Sequence, residues 1–401
     1  MNPLAGKDSL GTGVQQLPAP VSPHAIYIHI PFCLQKCFYC DFFSQVGLSG
    51  EDRARYVRAI SREIKIRARF FPEANVDSVY IGGGTPSLLE GWLLTSLMRQ
   101  LRQSFCLSPQ AEITLEANPA TLSPPYLDTL RAVGINRLSL GAQSFFDPEL
   151  KTLGRSHQVR HIMETVNELH RQGFENFNLD LIYGIPGQSI KGWKQTLQKA
   201  VDCSPAHLSL YLLQVEPSTP MGRMLQRGDL VLLGEDREWL MYEYALDFLA
   251  GTGFKLYELS NFCRPGRACQ HNLVYWRDQP YLGFGCGAVS FLQDSRFLNL
   301  PRLGAYCDGL LEEQGVWPVQ ILERMDNNQQ AVEALILGLR LCAGVDLTEL
   351  SCRFNLDLQE KYQWALDLSQ EEGLLNKQGT RICLTRKGYF LSNRVFVRFL
   401  S

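Results

Sequence analysis

Three cysteines fall within eight positions in the stretch HIPFCLQKCFYCDFF, residues 29–43, at the spacing C-x3-C-x2-C: Cys33, Cys37 and Cys40. Clustered thiols of this kind bind soft metals. Two chemistries fit three of them. With a fourth protein ligand, for which His29 is the nearest candidate, they close a structural zinc site. Without one, they hold three irons of a [4Fe-4S] cluster and leave the fourth iron open to an exogenous ligand. The 3-then-2 spacing is not the paired C-x2-C of closed zinc sites, which favours the cluster. The run continues with Asp41 and Phe42 and brings no fourth cysteine.

An open iron needs a small chelating ligand, and further motifs outline its surroundings. The run YIGGGTPS, residues 80–87, offers backbone groups to a zwitterion, although a glycine run also makes an ordinary β/α turn. Arg155 can pair a carboxylate bidentately, while Glu116 and Asp180 can accept from an ammonium or from ribose hydroxyls. Singly, each is only a charge in solvent. Together they describe a pocket for S-adenosylmethionine (SAM), whose amino and carboxylate groups chelate the open iron.

These residues need a scaffold, and the chain supplies one. Short β-rich runs at 25–30, 76–83, 111–117, 135–143, 174–184 and 206–214 alternate with amphipathic helical stretches from residue 25 onward. That rhythm predicts an α/β fold with a parallel sheet curved into a partly closed barrel, and it places the unusual residues at the C-terminal strand ends. Residues 1–24 read as a flexible tail without a signal peptide, 25–245 as the barrel, 246–325 as a separate aromatic-rich lobe and 326–401 as a winged-helix-like domain. The last segment holds nine Lys or Arg and nine Asp or Glu, and the whole chain has a formal net charge of -2, so nucleic acid is not expected as a partner. Twelve cysteines, nine of them scattered, fit a reducing compartment, and the cytoplasm is the simplest location.

Residues 26–43, IYIHIPFCLQKCFYCDFF, together with IGGGTPSLL, LEANP, RLSLGAQSFFDPELKTLGRSH and NLDLIYGIPGQ, closely resemble the radical-SAM superfamily and, within it, the oxygen-independent coproporphyrinogen oxidase family. The resemblance runs from about residue 25 to the end. It implies a partial (β/α)6 barrel, a [4Fe-4S] cluster on Cys33, Cys37 and Cys40, and a SAM site lined by Tyr27, Gly83, Gly84, Thr85, Glu116, Gln143, Arg155 and Asp180. Its chemistry is reductive cleavage of SAM to methionine and a deoxyadenosyl radical.

The chain departs from the true oxidases at Phe42, where they carry the last cysteine of C-x3-C-x2-C-x-C. This departure puts oxidase activity in doubt and matches the HemW-like branch of the family, whose members act as heme chaperones. The segment CQHNLVYWRDQPYLGFGCGA resembles the H-N-x-x-Y-W segment associated with heme there, which implies His271 as an iron ligand; Cys263, Cys269 and Cys286 lie nearby as thiolate candidates. A histidine among aromatics is also often a hydrogen-bonded packing residue. The implied partners are heme, a heme-acceptor protein and an electron donor, with peripheral membrane association through the acceptor. The alternative is conversion of coproporphyrinogen III to protoporphyrinogen IX.

Overall fold

The protein is seen here as a computed structural model that describes residues 22–312 and 317–400. The expected tail over 1–24 lies outside the described residues up to position 21. Six parallel strands run side by side in chain order: β1 (Ala25–Ile30), β2 (Asn75–Gly83), β3 (Cys106–Ala117), β4 (Arg137–Gln143), β5 (Phe177–Tyr183) and β6 (His207–Leu212). Helices α1 (Gly50–Arg67), α2 (Gly91–Ser104), α3 (Pro124–Ala132), α4 (Val159–Arg171) and α5 (Ile190–Asp202) return the chain between them.

Register explains the two faces of this sheet. Ile28, Ile81, Leu115 and Leu138 are paired in succession across β1 to β4, and Leu140, Leu179 and Leu208 across β4 to β6. All are buried in one apolar core. Because side chains alternate along a strand, the residues between them share the other face. That face is polar: Tyr80 pairs with Thr114, Glu116 with Ser139, Ser139 with Asn178, and Asp180 with Ser209. The apolar face packs on the helices and the polar face lines the barrel interior.

Helix α1 starts on a reciprocal cap, in which Ser49 Oγ accepts from Asp52 N at 3.1 Å and Asp52 accepts from Ser49 N at 2.9 Å. Such a cap contributes about 1 kcal/mol. One turn before its end, Glu63 and Arg67 form a buried ion pair at 2.9 Å.

Residues 246–325 do not stand apart as the sequence rhythm suggested. After α6 (Glu235–Gly251), β7 (Lys255–Glu258) and β8 (Asn261–Cys263) extend the sheet beyond β6. Helix α7 (Gln270–Trp276) crosses back, and β9 (Tyr281–Phe284) pairs in parallel with β1. Then β10 (Val289–Leu292), β11 (Ser295–Asn299), α8 (Leu303–Leu311) and β12 (Val319–Arg324) complete a twelve-stranded sheet. Their physical role is to cover both edges of an open parallel barrel, whose unpaired backbone groups would otherwise face solvent.

The C-terminal part has the winged-helix order expected: α9 (Asn327–Leu339), α10 (Leu347–Phe354), α11 (Gln363–Glu371), then a hairpin of β13 (Leu375–Gln378) and β14 (Arg381–Leu384). It adds α12 (Ser392–Phe399) and has its own apolar core. Among the described residues no helix is long and apolar enough to cross a membrane.

Candidate functional site

A pocket of about 480 Å³ opens at the C-terminal ends of the barrel strands. Cys33, Cys37 and Cys40 line it on the loop after β1; Gly83, Gly84 and Thr85 follow β2; Glu116, Gln143 and Asp180 come from β3, β4 and β5; and Arg155 enters from the loop before α4. The structure therefore gathers all three cysteines and seven of the eight residues assigned to SAM.

Hydrogen bonds set the charged groups in place. Arg155 donates to Cys37 Sγ at 3.3 Å, to the Gly141 carbonyl at 3.0 Å, and to Asn118 Oδ1. Asn118 in turn donates to Thr85 Oγ1 at 3.0 Å. Glu116 accepts from Tyr80 Oη at 2.8 Å and from Gly83 N at 3.0 Å. Burial pushes its carboxyl up to about 7, the Tyr80 hydroxyl opposes that rise, and the neighbouring Asp180 adds to it. Asp180 accepts from Ser139 Oγ at 3.0 Å and from Asn178 Nδ2 at 2.8 Å, and burial raises its carboxyl too.

Two backbone positions with positive φ shape this pocket, one open to glycine alone and one strained. Gly83 has φ +117°, and a Cβ there would meet the His29 ring at 2.5 Å. Gln143 is left-handed at φ +65° without being glycine. Conformations of this kind persist where surrounding structure over-determines them, typically at functional sites.

Among the described residues no three His, Cys, Asp or Glu side chains converge on a single ion. A closed zinc site needs its thiolates bunched around one metal at ~2.3 Å, whereas an iron-sulfur cluster takes each thiolate on a different iron. Three thiols lining one pocket with an arginine and a carboxylate suited to an amino acid's two ends fit the cluster with SAM.

Tyr27 and His271 are not brought to the pocket. Tyr27 lies behind its wall, with Oη at 3.0 Å from His29 Nδ1 and its ring stacked on Tyr80 at 6.3 Å. His271 is fully buried on α7 inside the barrel. Both of its ring nitrogens are engaged, Nδ1 with Ser78 Oγ at 3.0 Å and Nε2 with Tyr275 Oη at 2.8 Å. Burial, with Arg137 adding to it, lowers its pKa to about 3, so the ring is neutral. The three neighbouring cysteines are buried as well; burial pushes the Cys269 and Cys286 thiols up to about 12, and their sulfurs bond Glu112 at 3.3 Å and the Leu300 carbonyl at 3.1 Å.

Sequence reasoning missed Tyr80, Asn118, Ser139 and Tyr211, which also line the pocket. The signal was present as polar residues at every second position, at 78 and 80, 114 and 116, 137 and 139, 178 and 180, 207, 209 and 211.

Comparison with known proteins gives the family and the fold. Residues 27–200 match the Radical SAM superfamily, and residues 325–391 match the HemN C-terminal domain. The heme chaperone HemW of Lactococcus lactis is 35% identical over 94% of this chain and 97% of its own, and that of Mycobacterium tuberculosis 36% identical over 94% and 95%. Coproporphyrinogen III oxidase (HemN) from Escherichia coli, a radical SAM enzyme of known structure, superimposes with a TM-score of 0.82 at 26% identity, covering 94% of this chain and 90% of that one. With its cysteine triplet, its barrel and full-length kinship of this order, the chain belongs to the HemW family within the radical SAM superfamily.

Proposed function

We propose that this protein is a heme chaperone on a radical-SAM scaffold, holding a [4Fe-4S] cluster on Cys33, Cys37 and Cys40 and SAM in the barrel-mouth pocket, and passing heme to an acceptor protein. The observation that carries this reading over the oxidase is Phe42. It stands at the rim of the pocket, 65% exposed, where the oxidase pattern has a further thiol. The relatives named HemW are 34–39% identical to the chain, against 26% for the oxidase.

When bound, the cluster supplies single electrons to the sulfonium of SAM. The protein's own residues do the rest. Arg155 offers two donors to the SAM carboxylate, Glu116 accepts from its ammonium, and Gln143 and Asp180 face the ribose. An electron donor would reduce the cluster from the exposed side of its loop, where Leu34 is 72% exposed. The place of work is the cytoplasm, with any membrane contact made through the acceptor.

His271 remains the proposed heme ligand, on one condition. Its Nε2 partner Tyr275 lines a second pocket of about 290 Å³ with Trp276, Tyr281, Phe291 and Arg296. Ligation requires that Tyr275 release the ring toward that aromatic pocket.

Titration of the anaerobically reconstituted protein with heme, followed in the Soret band, tests the reading: saturable binding of about one heme per chain is expected, with about four irons retained on the cysteine triplet. Absence of saturable binding, or conversion of coproporphyrinogen III to protoporphyrinogen IX, would overturn it. His271→Ala should weaken heme binding and spare the cluster; unchanged binding would remove only the ligand assignment.

A further inference from the structure

The residue that bears most directly on Glu116 is one to which the sequence motifs assigned no role. Tyr80 lies three positions before Gly83 on β2, pointing into the barrel opposite Thr114. Its hydroxyl donates to Glu116 Oε1 at 2.8 Å, and the Gly83 amide donates to Oε2 at 3.0 Å, so each carboxylate oxygen has one fixed donor. The ring cannot readily swing away. It is stacked on His271 at 5.2 Å and 29°, and on Tyr27 at 6.3 Å and 23°. Behind it, His271 is itself fixed between Ser78 and Tyr275. Gly82, on the same face, leaves room for this arrangement, since a Cβ there would lie 2.9 Å from the Tyr80 ring and 3.0 Å from the Glu116 carboxyl.

We propose that Tyr80 is a positioning residue for SAM, acting through Glu116: its hydroxyl and the Gly83 amide hold the carboxylate aimed into the pocket as the acceptor for the ligand's ammonium. This rests on the reading of the pocket as a SAM site. A carboxylate that is half-buried beside another acid needs such a donor. Two hydrogen bonds to its charged form favour that form, while burial and the charge of Asp180 disfavour it.

The groups that bear on Glu116 are Tyr80 on β2, Asp180 on β5, Tyr211 on β6, Tyr27 on β1, and Tyr275 on α7. His271 on the same helix is neutral. Burial holds all four tyrosine hydroxyls above their usual range, so they stay protonated, and Asp180 is the remaining group that titrates. Removing the Tyr80 hydroxyl therefore moves the ionisation of Glu116 to higher pH. SAM affinity then falls most where Glu116 is already partly protonated, and recovers as pH rises.

The test is the Kd of SAM for the cluster-loaded protein, measured anaerobically by calorimetry between about pH 6 and pH 8.5, for wild type, Tyr80→Phe, Glu116→Gln and the double variant. Tyr80→Phe keeps the ring and both of its stacking partners. It should raise Kd roughly tenfold near pH 6, and the ratio to wild type should shrink toward unity near pH 8.5. The ligand's own titration is common to all four proteins and cancels in that ratio. In the Glu116→Gln background, Tyr80→Phe should add nothing. A ratio that is the same at every pH, or a loss of equal size in the Glu116→Gln background, would reduce Tyr80 to a packing residue and overturn the proposal. Failure of the cluster-loaded wild type to bind SAM would overturn the pocket's reading itself, and the role of Tyr80 with it.

Discussion

Gly84 shows how little room the metal loop has. A Cβ at this position would lie 2.7 Å from the Phe32 carbonyl oxygen and 3.0 Å from Cys33 Sγ, while the adjacent Thr85 amide donates to that same carbonyl at 2.7 Å. Gly84→Ala must push Cys33, the first of the proposed cluster ligands, outward, at a cost of about 1–3 kcal/mol for such overpacking. Iron content after anaerobic reconstitution should fall clearly below that of wild type, and unchanged iron would show that the loop yields freely. His271 makes a second prediction at this scale. Its pKa of about 3 in the folded protein lies below the ~6.5 of an unfolded histidine, so the folded state binds fewer protons. The stability held by the neutral ring is complete above about pH 6.5 and drains away as pH falls toward 3, at about 1.4 kcal/mol per pH unit. His271→Gln, which does not titrate, should melt below wild type at pH 7, and the gap should narrow steadily at pH 6 and pH 5. A constant gap would mean that the ring is not held neutral.

At the scale of elements, the added strands are locked to the barrel by a buried polar network around α1. Glu63 accepts from Gly285 N at 2.9 Å and from Asn299 Nδ2 at 2.8 Å, besides Arg67 and Tyr306. Arg67 donates to the Gly283 carbonyl at 2.6 Å and to Ser290 Oγ at 2.7 Å, with its guanidinium between the rings of Phe284 and Trp317. The same network reaches the end of β1, because Tyr56 Oη accepts from Cys286 N and donates to the His29 carbonyl. Arg67→Met leaves the Glu63 charge buried without its cation, a change that costs about 3–5 kcal/mol. Chemical denaturation should show a loss of that order. A loss below about 1 kcal/mol would mean the pair is replaceable by packing alone.

At the scale of the whole molecule, the C-terminal part meets the barrel through an apolar peg, ion pairs and a backbone bridge between Glu258 and Leu341. Phe390 packs edge-on against Trp239 at 5.3 Å and near Tyr242 at 6.1 Å, both on α6. Beside it Arg386 pairs with Asp247 at 2.5 Å, and elsewhere Arg353 pairs with Asp278 at 2.8 Å. Burial of apolar surface outweighs an exposed pair here. Phe390→Ala should cost about 2–3 kcal/mol, somewhat less than a fully buried phenylalanine, and should raise hydrogen exchange in α6 and at the α12 end. Arg386→Ala should leave the melting temperature nearly unchanged. The reverse ranking would show that the two parts are held by charge.

Local rules made much of this protein legible from its sequence. The six barrel strands, the cysteine triplet and the residues at the strand ends are set by alternation and spacing over a few residues, which any stretch of sequence carries in itself. β3 begins at Cys106, earlier than its apolar pattern, because its first residues pair with Asn75 and Val76 on β2. Only the tertiary structure decided what required a partner distant in the chain. It joined residues 246–325 to both edges of the barrel sheet, where composition alone suggested a separate lobe. It set His271, which the resemblance implied as an iron ligand, as a buried ring between Ser78 and Tyr275. It also set Tyr80 on Glu116, 36 positions away. Which strand lies beside which, and how far one is shifted against the next, determines which polar side chains share the barrel interior, and that register is a property of the assembled sheet.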